Sequence, residues 1–291
     1  RFRAKLEPYV KIPLHDYSTL IETHDKGNVM KVAKELGIPI PVTFFINGLD
    51  ELSRCAETII YPVVIKLRSG TSSLGISYAN NRRELLEKYN KTVELFNLTP
   101  ENYPIVQEYI PGDGYGVSML FNQGELRARF THRRLREYPP SGGPGTFRIS
   151  TEHPEMETLA TKILRYYNWH GIAMVEFKLD RRTNRSVLIE INPRFWGSVN
   201  QAICSGVNFP YLLYKIAVDG DVEPVLTYKL GVKTRVAFID YATLMHQLWN
   251  KPDKYTTLKQ LFHLYPDDII SVSDPLPTLG FLYARVRDSI T

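Results

Sequence analysis

Two neighbouring segments of alternating apolar residues constrain the fold of this chain more than any other feature. Residues 171–180 and 186–192 place apolar side chains at every second position, which is the period of a half-buried strand. A short polar link between them predicts a hairpin. The opposite face of the first strand carries Glu176, and that of the second carries Glu190. If the hairpin is symmetric about Thr183, the two glutamates are directly opposed, with Cβ atoms roughly 5 Å apart.

The face that these strands share predicts a metal site. Two opposed carboxylates repel each other unless something neutralises them, and magnesium prefers a few oxygen ligands together with substrate phosphates. Asn192 adds an amide oxygen to the same face, so we predict that Glu176, Glu190 and Asn192 bind a divalent ion. Arg194 follows the strand and would meet phosphate oxygens. The alternative is a solvated strand face with scattered charges, which explains poorly why an apolar strand runs into Glu-Ile-Asn-Pro-Arg.

The composition narrows the class of ligand. The chain has 291 residues, of which 43% are hydrophobic and 23% charged, so it can bury a sizeable core. A net charge of +5 suits an anionic ligand such as a nucleotide, but the basic residues form no long tract, and no nucleic-acid partner is expected. Cys55 and Cys204 lack the spacing of zinc ligands. Without an apolar run long enough for a bilayer, we expect a cytoplasmic enzyme with no membrane partner.

A lysine and a small-residue loop form a second candidate site. Lys66 ends a compact apolar strand, and the loop that follows contains Ser69, Gly70, Ser72 and Ser73. Small residues allow the backbone to approach phosphates closely, so this loop would fold over a nucleotide. It is not a P-loop, since the lysine precedes it. The alternative is an ordinary turn after a strand.

Two further segments carry candidate binding groups. Residues 105–110 predict a strand that ends at a Pro-Gly turn, where edge backbone groups would face an adenine; a plain strand end is the alternative. Arg129, Arg133 and Arg134 lie on the strand 126–133 or just after it, in an arginine-rich row from which His132 faces away. Arginine forks suit phosphate or carboxylate. A solvated face or an RNA-binding patch is the alternative, and the nearby loop 141–145 is either a lid or unstructured.

With these pieces in this order, the sequence resembles the ATP-grasp superfamily. More narrowly, it resembles the carboxylate–amine ligases related to the carbamoyl-phosphate synthase large subunit and biotin carboxylase. The resemblance runs from about residue 24 to 218, and its most specific pieces are Val-Glu-Phe at 175–177 and Glu-Ile-Asn-Pro-Arg at 190–194. It implies ATP with Mg²⁺ or Mn²⁺ as cofactors, and small-molecule carboxylate and amine substrates. The sequence leaves open whether the protein forms a homodimer.

The resemblance also implies a role for each matching residue. The ATP phosphates would contact Lys26, Lys66 and the loop residues Ser69, Gly70, Ser72 and Ser73. Gln107 would face the adenine amino group, and the hinge backbone would come from Glu108, Tyr109 and Ile110. The family's ribose-binding acid is replaced by Gly114, so either Asp113 takes that role or ribose binding differs. The metal ligands would be Glu176, Glu190 and Asn192. Arg194 would support the transferred phosphoryl group, and one or more of Arg129, Arg133 and Arg134 would stabilise the developing charge.

The implied fold is α+β, with ATP between two lobes and an antiparallel sheet in the larger lobe. We expect an N-terminal segment at 1–23 (a possible remnant of a missing α/β domain), a small lobe at 24–104, a large lobe with the metal site at 105–240 and a C-terminal extension at 241–291. The expected activity is ATP-dependent ligation of a carboxylate to an amine or thiol. The alternatives are a small-molecule kinase and a non-catalytic nucleotide- or RNA-binding module.

Overall fold

The computed structural model describes most of the chain. The residues it describes are 2–70, 75–138, 142–250, 261, 263, 265–271 and 273–290. Their helices are Arg3–Leu6 (α1), Tyr17–His24 (α2), Lys26–Glu35 (α3), Leu49–Thr58 (α4), Arg82–Leu95 (α5), Pro154–Tyr166 (α6), Val199–Cys204 (α7), Phe209–Asp219 (α8), Ala237–Asn250 (α9) and Leu276–Ile290 (α10). The predicted loop residues Ser72 and Ser73, and Ser141 of the predicted lid, lie outside the described residues.

The strands form two antiparallel sheets, so the architecture is α+β, as predicted. The strands are Thr43–Phe45 (β1), Val63–Lys66 (β2), Ser77–Ala79 (β3), Ile105–Glu108 (β4), Gly112–Asn122 (β5), Glu125–Glu137 (β6), Gly145–Ser150 (β7), Gly171–Asp180 (β8), Arg185–Asn192 (β9) and Lys233–Arg235 (β10). The small sheet has the order β1-β4-β2-β3 and the large sheet the order β10-β7-β6-β5-β8-β9. Because β4 pairs with β1 and β2, the break between the sheets follows residue 108 and not residue 104.

The small sheet buries one face and turns the other towards the large sheet. Its buried face packs against α4 and α5, whose core side chains include Leu52 and Tyr89. The register pairs Val64 with Gln107, and Lys66 with Ile105, so these side chains share the opposite face. Lys66 on that face lines a cavity together with residues of the large sheet. The small sheet therefore presents polar groups to the space between the two sheets.

The large sheet is covered by helices on both faces, but one face is covered only in part. Helices α3 and α6 pack over one face, around Val117, Val175 and Phe177. Helices α7 and α8 cover part of the other face, around Phe130 and Ile172. The predicted lobe boundary at residue 24 places α3 in the small lobe. The core side chains of α3 pack against the large sheet instead. The uncovered part of the second face holds Glu176 and faces the small sheet.

The chain after the large sheet folds back onto the edge of that sheet. Asp240 of α9 is buried and accepts hydrogen bonds from Arg136 of β6, at 2.7 Å from Nε and 2.6 Å from Nη2. Asp268 forms a second buried ion pair, with Arg148 of β7. These two ion pairs hold Asp240 and Asp268 against strands of the large sheet.

None of the helices in the described part of the chain has both the length and the apolar character needed to cross a bilayer.

Candidate active site

The two glutamates face each other because the hairpin contains a β-bulge. Near the turn the register pairs Lys178 with Val187 and Phe177 with Leu188, but the next pair is Glu176 with Glu190. Ile189 is the extra residue, and it shifts the register by one. Without the shift, Glu176 would face Ile189, because a one-residue slip exchanges the faces of a strand. The predicted opposition of the glutamates is found. The strict alternation predicted for residues 186–192 is wrong, because Leu188 and Ile191 both enter the core whereas Ile189 lines the cleft.

Each glutamate is held by a different cation. Arg134 Nη2 lies 2.5 Å from Glu176 Oε2, and Lys26 Nζ lies 3.1 Å from Glu190 Oε2. Burial raises the pKa of Glu176; Arg134 opposes this, and the neighbouring Glu190 adds to it. Burial also works against ionisation of Glu190, but Lys26 and Lys66 together outweigh it and lower the pKa of that carboxyl. The carboxylate pair is thus unequal, and Glu190 is the more firmly ionised member.

Asn192 links the two carboxylates to Arg194. Its Nδ2 donates to Glu176 Oε1 at 3.1 Å and to Glu190 Oε1 at 3.4 Å, while its Oδ1 accepts from Arg194 Nη2 at 3.0 Å. The four clustered carboxylate oxygens are hard donors of the kind that Mg²⁺ takes. The amide would have to turn over to add its oxygen, which would take that acceptor from Arg194. No group of three His, Cys, Asp or Glu side chains suited to a metal occurs among the described residues, so a metal here would need further oxygens from a ligand.

Lys66 is a buried cation without a direct partner. Its side chain is almost fully buried, and none of the described residues forms an ion pair or hydrogen bond with its Nζ. Burial lowers its pKa to about 8, and Lys26 and Lys178 contribute to this while Glu190 opposes it. Lys26 Nζ also donates to the carbonyl of Gly70 at 3.3 Å, which brings that loop residue to the site. The two lysines together form a cationic wall that suits an anion.

The predicted adenine segment is β4, an inner strand of the small sheet between β1 and β2, together with the two residues that follow it. The Nε2 of Gln107 donates to Thr43 Oγ1 at 2.9 Å, while its buried Oε1 has no partner among the described residues. The backbone N–H of Tyr109 already donates to Pro62, and the carbonyl of Ile110 accepts from Lys178 Nζ at 3.3 Å. The free acceptor on Gln107 fits an amino group. The side chain of Glu108 is instead bonded to Arg182, at 2.6 Å.

The arginine row does not reach the site as predicted. Arg129 lies 3.1 Å from Glu157 of α6, and Arg133 pairs across the strands with Tyr115. Both arginines therefore lie on the face of the large sheet that α3 and α6 cover. Asp113 lies on that face as well, where it accepts from Arg181 Nη2 at 2.9 Å. Only Arg134 of the three predicted arginines faces the glutamates. We expected the side of β6 that carries Arg129 and Arg133 to face the site. The opposite side of β6, which carries His132, faces the cleft instead.

Two cavities meet at the glutamate pair. The one next to the small sheet is about 110 Å³ and is lined by Lys26, Lys66, Tyr78, Lys178, Glu176 and Glu190 among others. The second, of about 240 Å³, extends towards β7 and is lined by His132, Arg134, Arg148, Asn192, Arg194 and Trp196 among others. Both cavities include Glu176, Glu190 and Arg134. The arrangement can hold a polyanion in the first cavity and a reacting partner in the second.

Several lining residues carried a weaker signal in the sequence. Lys178 lies two residues after Glu176, so strand alternation places it on the same face. Arg148 is at an inward position of a strand that follows a glycine-rich loop, and that strand was not predicted. Trp196 follows Arg194 by two residues outside the strand, where no periodicity applies. Of these three, only Lys178 was recoverable from the pattern alone.

A family model covers the centre of the site. The model described as ATP-grasp in the biosynthetic pathway with Ter operon matches residues 101–237. Solved structures with the same fold include the biotin carboxylase domain of Hydrogenobacter thermophilus 2-oxoglutarate carboxylase in complex with MgADP and bicarbonate. That domain has a TM-score of 0.67 at 18% identity, over 79% of this chain and 53% of the other. The chain contains an ATP-grasp domain. The predicted ATP-grasp fold is thereby confirmed.

Sequence relatives of this ATP-grasp chain carry the names of ligases and synthases. The mitochondrial arginine-specific carbamoyl phosphate synthase large chain of Neurospora crassa is 30% identical over 259 residues, which cover 83% of this chain and 21% of the relative. The D-alanine–D-alanine ligase of Carboxydothermus hydrogenoformans is 26% identical, over 67% of this chain and 68% of the relative. This ATP-grasp chain spans only about a fifth of the length of the two arginine-specific synthase large chains it matches, from Schizosaccharomyces pombe and Neurospora crassa.

Proposed function

We propose that this chain is an ATP- and magnesium-dependent ligase that activates a small carboxylate as an acyl phosphate for attack by an amine. The observation that carries the proposal is the opposition of Glu176 and Glu190 at the meeting point of two cavities. Lys66, a buried lysine that forms no ion pair with any described residue, lines one cavity, and arginines line the other. The relatives named as ligases and synthases support the same class of reaction.

The residues of the first cavity would hold the nucleotide. Lys26 and Lys66 would neutralise phosphate oxygens, since both line this cavity and Lys66 has no anionic group within ion-pair distance among the described residues. Gln107 would accept a hydrogen bond from the adenine amino group through its unpartnered Oε1. The ribose contact proposed for Asp113 is dropped, because that side chain lies on the other face of the sheet.

The carboxylate pair would hold magnesium. Glu176 and Glu190 supply up to four oxygens, and Asn192 would add its amide oxygen if the side chain turned over. When bound, magnesium would neutralise charge on the β- and γ-phosphate oxygens. Arg134 and Lys26 now neutralise these carboxylates, so binding of a cation there would release both side chains towards phosphate.

The second cavity would hold the carboxylate substrate beside the γ-phosphate. A carboxylate oxygen would form a bond to the γ-phosphorus as the bond to the bridging oxygen breaks, and that oxygen's electron pair would leave with ADP. The amine nitrogen would then attack the acyl carbon, phosphate would leave and the amine would lose a proton to solvent. Arg134 and Arg194 would stabilise the charge that develops on the transferred group, so the protein acts by positioning and electrostatics.

The test is a screen of amino acids and small acids for phosphate release from ATP by the purified chain, followed by product analysis. A ligase gives ADP, free phosphate and an amide, whereas a kinase gives ADP and a phosphorylated product. Glu190→Gln should abolish magnesium-dependent turnover, while the exposed Glu94→Gln should retain it. Full turnover in Glu190→Gln would refute the assigned metal site.

A further inference from the structure

The wall of the second cavity away from the glutamates contains unsatisfied nitrogens. His132, Arg148 and Trp196 line this cavity, and each side chain is at most 3% exposed. Each also has a buried nitrogen that finds no hydrogen-bond partner in the described part of the chain: His132 Nδ1, Arg148 Nε and Trp196 Nε1. A buried polar group without a partner costs free energy, so three on one cavity wall indicate that a ligand satisfies them.

The chemistry of this wall selects an acceptor. The Nε–H groups of Arg148 and Trp196 are donors only, because neither a guanidinium nor an indole nitrogen accepts. Burial holds the pKa of His132 well below its usual value, with Arg134 and Arg148 adding to this, so its imidazole is neutral and adds a hydrogen-bonding nitrogen without a charge. An ammonium group would find at most one acceptor on these three side chains, a nitrogen of the neutral imidazole, and would leave the Arg148 and Trp196 donors unsatisfied. A carboxylate is acceptor-only, so it fits both of these donors, and it also accepts from His132 in the tautomer that carries the proton on Nδ1.

Charge also favours an anion over a neutral acceptor. Arg194 lines the same cavity and forms no ion pair with any carboxylate of the described residues; its Nη1 donates to the Phe195 carbonyl at 2.9 Å and its Nη2 to Asn192 Oδ1. Hydrogen bonds to ionised groups are about twice as strong as those between neutral groups. A carboxylate on this wall would gain the attraction of the Arg194 charge and the stronger hydrogen bonds that an ionised acceptor forms.

The residues beyond the family match contribute to this wall. Asp268 accepts a hydrogen bond from Arg148 Nη2 and so holds the guanidinium in place, while Ile239 lines the cavity directly. Both residues follow residue 237, where the family model ends. Asp268 does not line the cavity, so we assign it a positioning role. The C-terminal part of the chain therefore shapes a subsite that the shared ATP-grasp module does not supply.

We propose that His132, Arg148 and Trp196 bind a second acidic group of the substrate, so that the chain acts on a dicarboxylic acid or an acidic amino acid. This inference rests on the proposed function, because it takes the other carboxylate to be the one activated beside the glutamates. It adds the substrate class, and it assigns the selection of that class to the β7 edge and the segment after it.

Binding to matched acids tests the inference independently of turnover. Calorimetric titrations in the presence of MgADP would compare succinate, glutarate and glutamate with propionate, butyrate and 2-aminobutyrate, which lack the second carboxylate. We expect at least one dicarboxylate to bind about tenfold more tightly than its matched monocarboxylate, which is the effect of one hydrogen bond to a charged group. Equal affinity within every pair, or binding of neither series, overturns the inference. The affinity for MgADP alone reports separately on the nucleotide site.

Two variants locate the preference. Trp196→Phe keeps an aromatic ring and removes the N–H, and the double variant Arg148→Met with Asp268→Asn removes the Nε–H donor without leaving a buried charge unpaired. Each should lower dicarboxylate affinity about tenfold and leave the affinities for monocarboxylates and MgADP within twofold. Arg165→Gln, on the exposed side of α6, is the matched control and should change nothing. A dicarboxylate preference that survives both variants would place the subsite elsewhere and overturn the assignment.

Discussion

Lys66→Met should stabilise the protein and remove nucleotide binding at the same time. Lys66 is buried, and no described residue forms an ion pair with it, so its charge is tolerated in the absence of a ligand at a cost in stability. Burial lowers its pKa from 10.5 to about 8. A shift of that size corresponds to a free-energy cost on the order of 3 kcal/mol at pH 7, at about 1.4 kcal/mol per pH unit. Methionine fills the same space without the charge, so that cost disappears.

The pH dependence gives the prediction a sign. Between the folded pKa near 8 and the unfolded value of 10.5, the unfolded chain binds more protons at this residue than the folded chain does. Stability contributed by Lys66 therefore rises with pH across this window and is lowest below pH 8. The advantage of Lys66→Met should be greatest at neutral pH and should shrink towards pH 10.5.

Thermal and urea unfolding at pH 7 and pH 10 would measure both effects. At pH 7 we expect an increase in Tm of roughly 5 °C for Lys66→Met, from about 2 °C per kcal/mol at this chain length. The exposed Lys91→Met is the matched control and should shift Tm by little. MgADP at about a hundred times its Kd should stabilise the wild type by about 2.7 kcal/mol and the variant much less. A Lys66→Met protein that is less stable than the wild type at pH 7, or that is stabilised equally by MgADP, would refute the reasoning.

Three further perturbations test other parts of the structure. Arg134→Gln should lower kcat by about 10²-fold, as expected for loss of a charge-stabilising donor, whereas Arg133→Gln on the opposite face should stay within twofold; equal losses would contradict the observed face. Gln107→Leu should weaken ATP binding by about tenfold and leave GTP binding nearly unchanged, which competition titrations would measure. Asp240→Asn should destabilise the chain by about 3 kcal/mol in urea unfolding, because the substitution breaks a buried ion pair with Arg136; an unchanged midpoint would argue against the observed pairing.

The sequence predicts the strands of the site better than it predicts their faces. Alternation of apolar residues identifies both strands of the glutamate hairpin, because each strand buries one face in a core. The face of the arginine row depends on which partner strands meet it, and that information is not local. Arg133 and Arg134 differ by one position, and the register of β5 against β6 and β8 decides which of them reaches Glu176. The sequence of β6 alone is compatible with either of its faces lying in the cleft.

Helix packing shows the same limit. The apolar positions of α3 predict a helix correctly, since Val29, Val32 and Ala33 lie on one side of it. They do not predict which sheet that side covers, because an apolar helix face can pack on any apolar sheet face. The helix packs on the large sheet, and this places Lys26 at its first turn within 3.1 Å of Glu190. A residue predicted to bind phosphate therefore also neutralises a predicted metal ligand, and only the tertiary arrangement reveals this contact.

The bulge at Ile189 explains why a simple symmetric hairpin predicted the right pair for the wrong reason. The turn sets a register in which Glu176 would oppose Ile189, and the extra residue then corrects it before the pair is reached. Leu188 and Ile191 both enter the core, two residues separate them, and strict alternation would have sent one of them to the cleft. The bulge thus lets two core residues and two polar residues, Glu190 and Asn192, occupy their faces in one short strand. Since bulges are common where a side chain must be re-aimed near a functional site, the irregular register itself supports a function for this carboxylate pair.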